Sequence, residues 1–497
     1  MLEGRKSGVL CHITSLPNEY CIGDFGPHAY NFVDFLAHSG QSYWQVLPLT
    51  QPGSSFSPYQ SVSIYGLNPM MLSPDGLYKQ GLVSRDFLEK ITSCEDYHKI
   101  NFNLAQKTKT ELIHHAVQHF VSMNLDKSDD YISFVEDNDW WLKEYSRFMA
   151  IRDSYKGLPW NKWDKDIANR KPEALKAADK DLAYEIKEYN IAQYWLYYQW
   201  HALKRHANES GIKIIGDIPM YPDFDSVIVW RRKEMFMLDR ENNPVFVAGV
   251  PPDYFCPDGQ YWGNPFYNWD YIKETDYQYW RDRITRALRK FDIVRLDHFR
   301  AFSKAWRVKV NPERSAKNGE WIDVPGYDIF MKIRDEHPDL PIIAEDLGDI
   351  DDEVRKLRDA FCLPGMSIMQ FAFDSPDSLY LPHNQVKNRV LYTGTHDNNT
   401  TIGWWKTLSE EKKSYIRRYL DIDGMDISWQ MIKSAARCVC DTVIYPIQDI
   451  VNLDEKYRMN VPGVVNDNNW AFRFTWDMVS DYYYEKLKEI TGLYYRN

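Results

Sequence analysis

Short apolar runs that stop at a polar residue recur along the chain: Gly8–Ile13, Tyr43–Leu47, Ile212–Asp217, Ile293–Asp297, Pro341–Glu345, Gly365–Gln370, Val390–Thr393 and Thr442–Ile447. Runs of this length, bounded by polar or turn-forming residues, read as buried strands. Between them apolar residues fall at helical spacing, as in Ala29–Ala37, Tyr327–Glu336, Asp352–Phe361 and a stretch from about Ser428. Strand, helix, strand repeated in this way predicts parallel pairing. Eight such strands close a (β/α)8 barrel. The expected fold class is therefore α/β, a TIM barrel.

Two regions break the pattern. From 77 to 207 the chain is charged and helical, with apolar periodicity over Lys107–Val121, Trp141–Ser154 and Leu182–His206. This reads as an insertion between strands two and three that runs into the barrel helix preceding strand three. The chain then divides into a barrel start (1–76), the helical insertion (77–207) and the rest of the barrel (208–497). Within the insertion, the cluster Tyr194-Trp-Leu-Tyr-Tyr-Gln-Trp200 reads as helix core before it reads as a ligand site. The second break is loop-rich sequence at the strand ends. It comprises Pro52–Pro69 and residues 249–267, a stretch of proline, glycine and rings suited to cover a groove.

Composition narrows the function. The 497 residues carry a net charge of −11 with both signs interspersed, so the basic footprint of a nucleic-acid binder is missing. No window approaches the roughly 20 apolar residues of a membrane span, and the N-terminus has no run of signal-peptide length. Seven cysteines without a paired Cys-x-x-Cys motif point to reduced thiols, a cytoplasmic location and no metal site. Aromatics form 15% of the chain, with 18 Trp and 34 Tyr. Rings with one polar edge suit sugar faces as well as a large core.

The polar strand ends carry the chemistry. Asp217, Arg295 with Asp297 and His298, Glu345 with Asp346, and His396 with Asp397 all fall at the C-terminal ends of predicted strands, where this fold builds active sites. Any one of these acids can equally cap the next helix, and Arg295 with Asp297 can be a structural ion pair; joint placement on one rim is the signal. Two carboxylates flanking a bond are what glycoside cleavage requires. Asp297, two residues from Arg295 on one strand face, suits the permanent anion. Glu345 suits the acid: its parity matches Ile343, and repulsion from Asp297 and Asp397, with desolvation, would raise its pKa. Asp346 falls on the other face. Asp397 is a third acid able to grip hydroxyls and favour a cationic transition state.

Arg295-Leu-Asp-His298, Ala344-Glu-Asp346 and Thr395-His-Asp397 are similar to the segments around the three acids of the α-amylase clan. More specifically, the chain resembles the amylomaltases, or disproportionating 4-α-glucanotransferases. The resemblance rests on Gly8–Pro17, Ser57-Pro-Tyr-Gln-Ser61, Gly216-Asp-Ile-Pro219, Gly249-Val-Pro-Pro-Asp-Tyr254, Gln260-Tyr-Trp-Gly-Asn-Pro265, Phe371-Ala-Phe-Asp374, Tyr380-Leu-Pro-His-Asn384, Thr393–Asn398 and Arg458-Met-Asn-Val-Pro-Gly463. It implies retaining transfer of α-1,4-glucan segments, with Asp297 as nucleophile, Glu345 as acid and base, and Asp397 as transition-state stabiliser. Arg295, Asp217, His298 and His396 match positions near the reacting sugar. Ser57, Tyr59, Tyr254, Trp262, Asn264, Asp374 and Asn460 match the glucan groove or its cover. Donors and acceptors would be maltooligosaccharides, α-1,4-glucans and glucose, with no metal or organic cofactor.

Pro222-Asp-Phe224, Cys256 and Ser367 depart from the family pattern, which bears on acceptor preference and on the balance of transfer against hydrolysis. Two other readings remain open at this point: an α-1,4-glucan hydrolase, and a catalytically silent glucan-binding protein on the same scaffold.

Overall fold

The computed structural model describes residues 4–92, 94, 96–252, 258–348 and 350–497. Among them run the strands β1 (Lys6–Leu10), β2 (Tyr43–Gln45), β3 (Lys213–Ile218), β4 (Phe246–Val250), β5 (Gln260–Pro265) and β6 (Ile293–Leu296). They continue as β7 (Lys304–Lys309), β8 (Gly319–Asp323), β9 (Ile342–Ala344), β10 (Gly365–Ile368), β11 (Arg389–Tyr392) and β12 (Thr442–Pro446). Eight of these close a parallel barrel in the order β1-β12-β11-β10-β9-β6-β3-β2. They are the eight expected strands, with their ends moved by one to three residues.

The helices that matter for the site are α1 (Pro27–His38), α2 (Phe102–Ser122), α3 (Asp129–Ser154), α4 (Ala183–Glu209) and α5 (Gln278–Lys290). Asn101 caps α2 by accepting from Leu104 N–H, and Ser128 caps α3 through Tyr131 N–H. Helix α5 ends at Phe291, whose ring packs on β3. A Cβ at Gly216 would sit 2.2 Å from that ring, so a glycine is required where the helix seats on the strand. That contact sets the position from which β6 starts.

Helices α2, α3 and α4 are the three longest helices of the insertion between β2 and β3. It is anchored to the barrel by a buried ion pair, Lys109 of α2 to Asp24 at 2.8 Å, both side chains 1% exposed. On α4, Trp195 and Trp200 are fully buried, but Tyr194 and Tyr197 are half-buried and Tyr198 is 62% exposed. The Trp/Tyr cluster is therefore core on one helix face only.

A four-stranded antiparallel sheet, β5-β4-β7-β8, is the element that the hydrophobic pattern did not reveal. Its strands are short, and β7 and β8 are half-exposed and carry the charges Lys304, Arg307, Lys309, Glu320 and Asp323. It changes the expected covering loop: the ends of 249–267 are strands of a hairpin, with a register shift between Val247 and Gly249. Gly249 lies against the Gln260 carbonyl, where a Cβ would come within 2.3 Å.

Candidate active site

Asp217 and Arg295 are register partners on adjacent strands β3 and β6, and both side chains are buried. Arg295 Nη1 donates to Asp217 Oδ2 at 2.7 Å and meets Asp297 Oδ1 at 3.0 Å. One nitrogen thus bridges a buried carboxylate and a half-buried one. The Tyr59 hydroxyl donates to the same Asp217 Oδ2 at 2.7 Å, which leaves the buried Asp217 Oδ1 without a hydrogen-bond partner. Although burial works against its charge, Asp217 and Asp297 carry Arg295 well above its ordinary value.

After Asp297, His298 takes a left-handed backbone with φ of 53°, a conformation rare for residues with a side chain and typical of functional sites. The turn aims the His298 N–H at Glu345 Oε2, 2.6 Å away. Leu347 N–H donates to the other oxygen at 3.2 Å. Burial pushes the Glu345 carboxyl up to about 8, with Asp297 and Asp346 adding to the rise and Arg295 and the His298 N–H opposing it. This corrects the expected cause: burial leads, and Asp346 takes the part assigned to Asp397. Burial also pushes His298 down to about 4, so its ring is neutral in the neutral range.

Parity holds at β9. Glu345 faces the site, whereas Asp346 is buried, accepts from Met366 N–H at 2.7 Å and pairs with Arg358. Gly365 makes this possible, since a Cβ there would lie 2.5 Å from the Asp346 carboxylate. At the departure noted at Ser367, Arg389 from β11 donates to the Ser367 hydroxyl at 3.1 Å and comes within 3.9 Å of Asp346. A cation therefore still reaches this corner, from the neighbouring strand.

Asp397 follows β11. Asn460 Nδ2 donates to its Oδ1 at 2.6 Å, Arg458 donates to its backbone carbonyl at 2.6 Å, and His396 Nε2 lies 3.4 Å from Oδ2. His396 stacks on Tyr59, ring centroids 5.2 Å apart at 17°, and Trp470 lies against both rings. Trp262 sits edge-on to His298 at 4.8 Å. A cleft of about 400 Å³ is lined by Ser57, Tyr59, Trp262, Asn264, Asp297, His298 and Asn460, among others. Glu345 and Asp397 join it through the hydrogen bonds from His298 and Asn460.

Of the remaining expected residues, Asn264 lines the cleft but donates its amide to the Pro222 carbonyl at 2.8 Å, bracing the Pro222–Phe224 loop. Phe224 packs on Trp160 of the insertion. Asp374 is paired with Lys412, three-quarters exposed and away from the cleft lining. Tyr254 and Cys256 lie outside the described residues. Sequence reading missed Trp470, Arg458 and Arg314, the last a cleft-lining residue, which come from segments without strand periodicity; Arg458 does open one of the resembling motifs.

Fold and site together define a carbohydrate-active barrel with three acids on its C-terminal rim. A family model described as 4-alpha-glucanotransferase matches residues 11–479. A 4-alpha-glucanotransferase of Synechocystis is 40% identical over 100% of this chain and 99% of its own length. That of Thermus thermophilus is 39% identical over 94% of each chain. The solved amylomaltase from Streptococcus agalactiae, in complex with acarbose, superposes with a TM-score of 0.95 at 38% identity, over 99% of this chain and 100% of that one. The chain belongs to the 4-α-glucanotransferase family, the amylomaltases, and its reaction is 4-α-glucan transfer. Among the described residues no helix is long and apolar enough to cross a membrane.

Proposed function

We propose that the chain passes maltooligosaccharide segments to the 4-hydroxyl of glucose or another α-1,4-glucan by double displacement. An Asp297 oxygen attacks the anomeric carbon. The glycosidic C–O bond breaks and Glu345 gives its proton to the departing oxygen. An acceptor hydroxyl then loses its proton to Glu345, its oxygen attacks the anomeric carbon, and the ester bond to Asp297 breaks. The configuration is retained because the centre inverts twice. The observation that carries this reading is the contrast between its two acids, Asp297 on Arg295 and Glu345 raised to about 8 by burial. Such a pair divides nucleophile and proton donor between two environments.

Asp397, held by Asn460, stabilises the oxocarbenium-like transition state. Asp217, fully buried behind Arg295, positions that guanidinium, and Tyr59, Trp262 and His298 shape the wall that sugar rings meet. The acarbose complex of the Streptococcus agalactiae relative supports an oligosaccharide in this cleft. The six described cysteines are free thiols, which favours a cytoplasmic setting. Pure maltotriose is expected to yield glucose plus a ladder of longer chains. Glucose and maltose without elongation would overturn the proposal, as would turnover of an unactivated glucan surviving in Glu345→Gln.

A further inference from the structure

Away from the catalytic cleft, and sharing no lining residue with it, a groove of about 840 Å³ opens between α3, α4 and α5. Helix α4 lines it with Tyr194, Tyr197, Tyr198, His201 and Arg205, whose spacing of three and four puts them on one face. Helix α3 adds Phe134, Trp140 and Trp141; Phe134 meets Tyr194 at 5.4 Å and Trp141 meets Tyr197 at 5.5 Å. Trp141 is buried in the core, Phe134, Trp140, Tyr194 and Tyr197 are half-buried against it, and Tyr198 is exposed.

Helix α5 supplies cations on a single face: Arg286, Arg289 and Lys290. With Arg205 they make four positive side chains around one cavity in a chain of net charge −11, and Asp137 is the one acid that lines it. Among the described residues, Arg205, Arg286 and Arg289 have no ion-pair partner. The Arg286 guanidinium lies 4.1 Å over the Trp140 ring, with its Nε buried and unsatisfied. Lys290 is buried and makes a 3.3 Å contact to the Tyr65 carbonyl.

We infer that this groove binds a phosphorylated ring compound, a sugar phosphate or a nucleotide, with its phosphate on Arg205, Arg286, Arg289 and Lys290 and its ring on the tyrosine and tryptophan faces. The guanidinium fork matches phosphate oxygens, and flat aromatic faces accept a base or a sugar. A neutral glucan would use the rings and leave the cations unpaired and repelling one another. An anion without a ring would leave the aromatic wall unused.

The test is calorimetric titration of the full-length protein with glucose 1-phosphate, AMP, inorganic phosphate and maltotriose, for wild type, R205E/R289E and Y198A. Both arginines and Tyr198 are exposed, so folding and glucan transfer should be retained. Saturable binding of glucose 1-phosphate or AMP is expected, weakening about tenfold or more in R205E/R289E, as for loss of a charge-assisted contact, and weakening in high salt. Whichever of the two binds more tightly identifies the sugar phosphate or the nucleotide as the ligand. Y198A should weaken the ring-bearing probes and leave inorganic phosphate unchanged. The inference falls if neither ring-bearing probe binds, if R205E/R289E binds them as wild type does, or if maltotriose displaces them. It falls equally if R205E/R289E weakens maltotriose itself, which would make the groove an accessory glucan site.

Discussion

Two of the buried cation–carboxylate arrangements among the described residues do different things. At the root of the insertion, Lys109 and Asp24 close on each other: Asp24 also accepts from Asn18 Nδ2 at 2.8 Å and Gly26 N–H at 2.9 Å, and Lys109 donates to the Leu72 carbonyl at 2.7 Å. At the rim, Arg295 bridges Asp217 and Asp297, yet Asp217 Oδ1 has no partner and the Asp297 side chain is 30% exposed. The first network is saturated and has nothing left to offer a ligand. The second is held rigid on one side and left incomplete on the other, as a preorganised site must be. Burial of charge therefore does not separate structural from functional pairs; a carboxylate left open to the cleft, as Asp297 is, does.

That contrast breaks most sharply under substitution. Asp297→Asn should lower glucan transfer by about 10⁴-fold or more, with a thermal unfolding midpoint close to wild type; a large stability loss would make the rim pair structural after all. Lys109→Ala should do the reverse. Leaving Asp24 buried and unpaired should cost about 3–5 kcal/mol, read by denaturant titration, while turnover per folded molecule is unchanged. Asn460→Ala removes the hydrogen bond that orients Asp397 and should lower turnover by about 10- to 100-fold, the worth of one bond to a charged group, with little change in stability.

The smallest effect concerns pH. Because Glu345 is raised from the usual carboxylate range to about 8, the first step should lose rate as pH rises through about 8, and Glu345→Gln, assayed with an activated donor whose leaving group needs no proton, should lack that limb. The folded chain also holds this proton more tightly than the unfolded chain does. Its contribution to stability is present below about pH 4.5, declines as pH rises and is lost above about 8. Glu345→Gln should accordingly flatten the decline in unfolding midpoint between those values.

Much of this was legible before any coordinates. The eight barrel strands were visible because each is an apolar run buried on both faces, a pattern that interior parallel strands impose. The three acids were visible because the fold puts strand ends on one rim. The antiparallel sheet β5-β4-β7-β8 was not, since its half-exposed strands carry Lys304, Arg307, Glu320 and similar residues that read as loop. Trp470 and Arg458 reach the site from loops more than 50 residues beyond β11, and no local periodicity announces such contacts.

The sequence by itself determined the barrel, the order of its strands along the chain, and which acids stand at strand ends, because period-two and period-3.6 patterns are local properties of the chain. Parity alone also separated Glu345 from Asp346. Tertiary structure decided what those groups are: that Arg295 serves two aspartates through one nitrogen, that His298 turns its N–H onto Glu345, and that burial more than repulsion raises Glu345. It also split the Tyr194–Trp200 cluster into a buried face and an open one. Desolvation and hydrogen-bond saturation depend on segments hundreds of residues apart meeting at one place, and no window along the chain contains them.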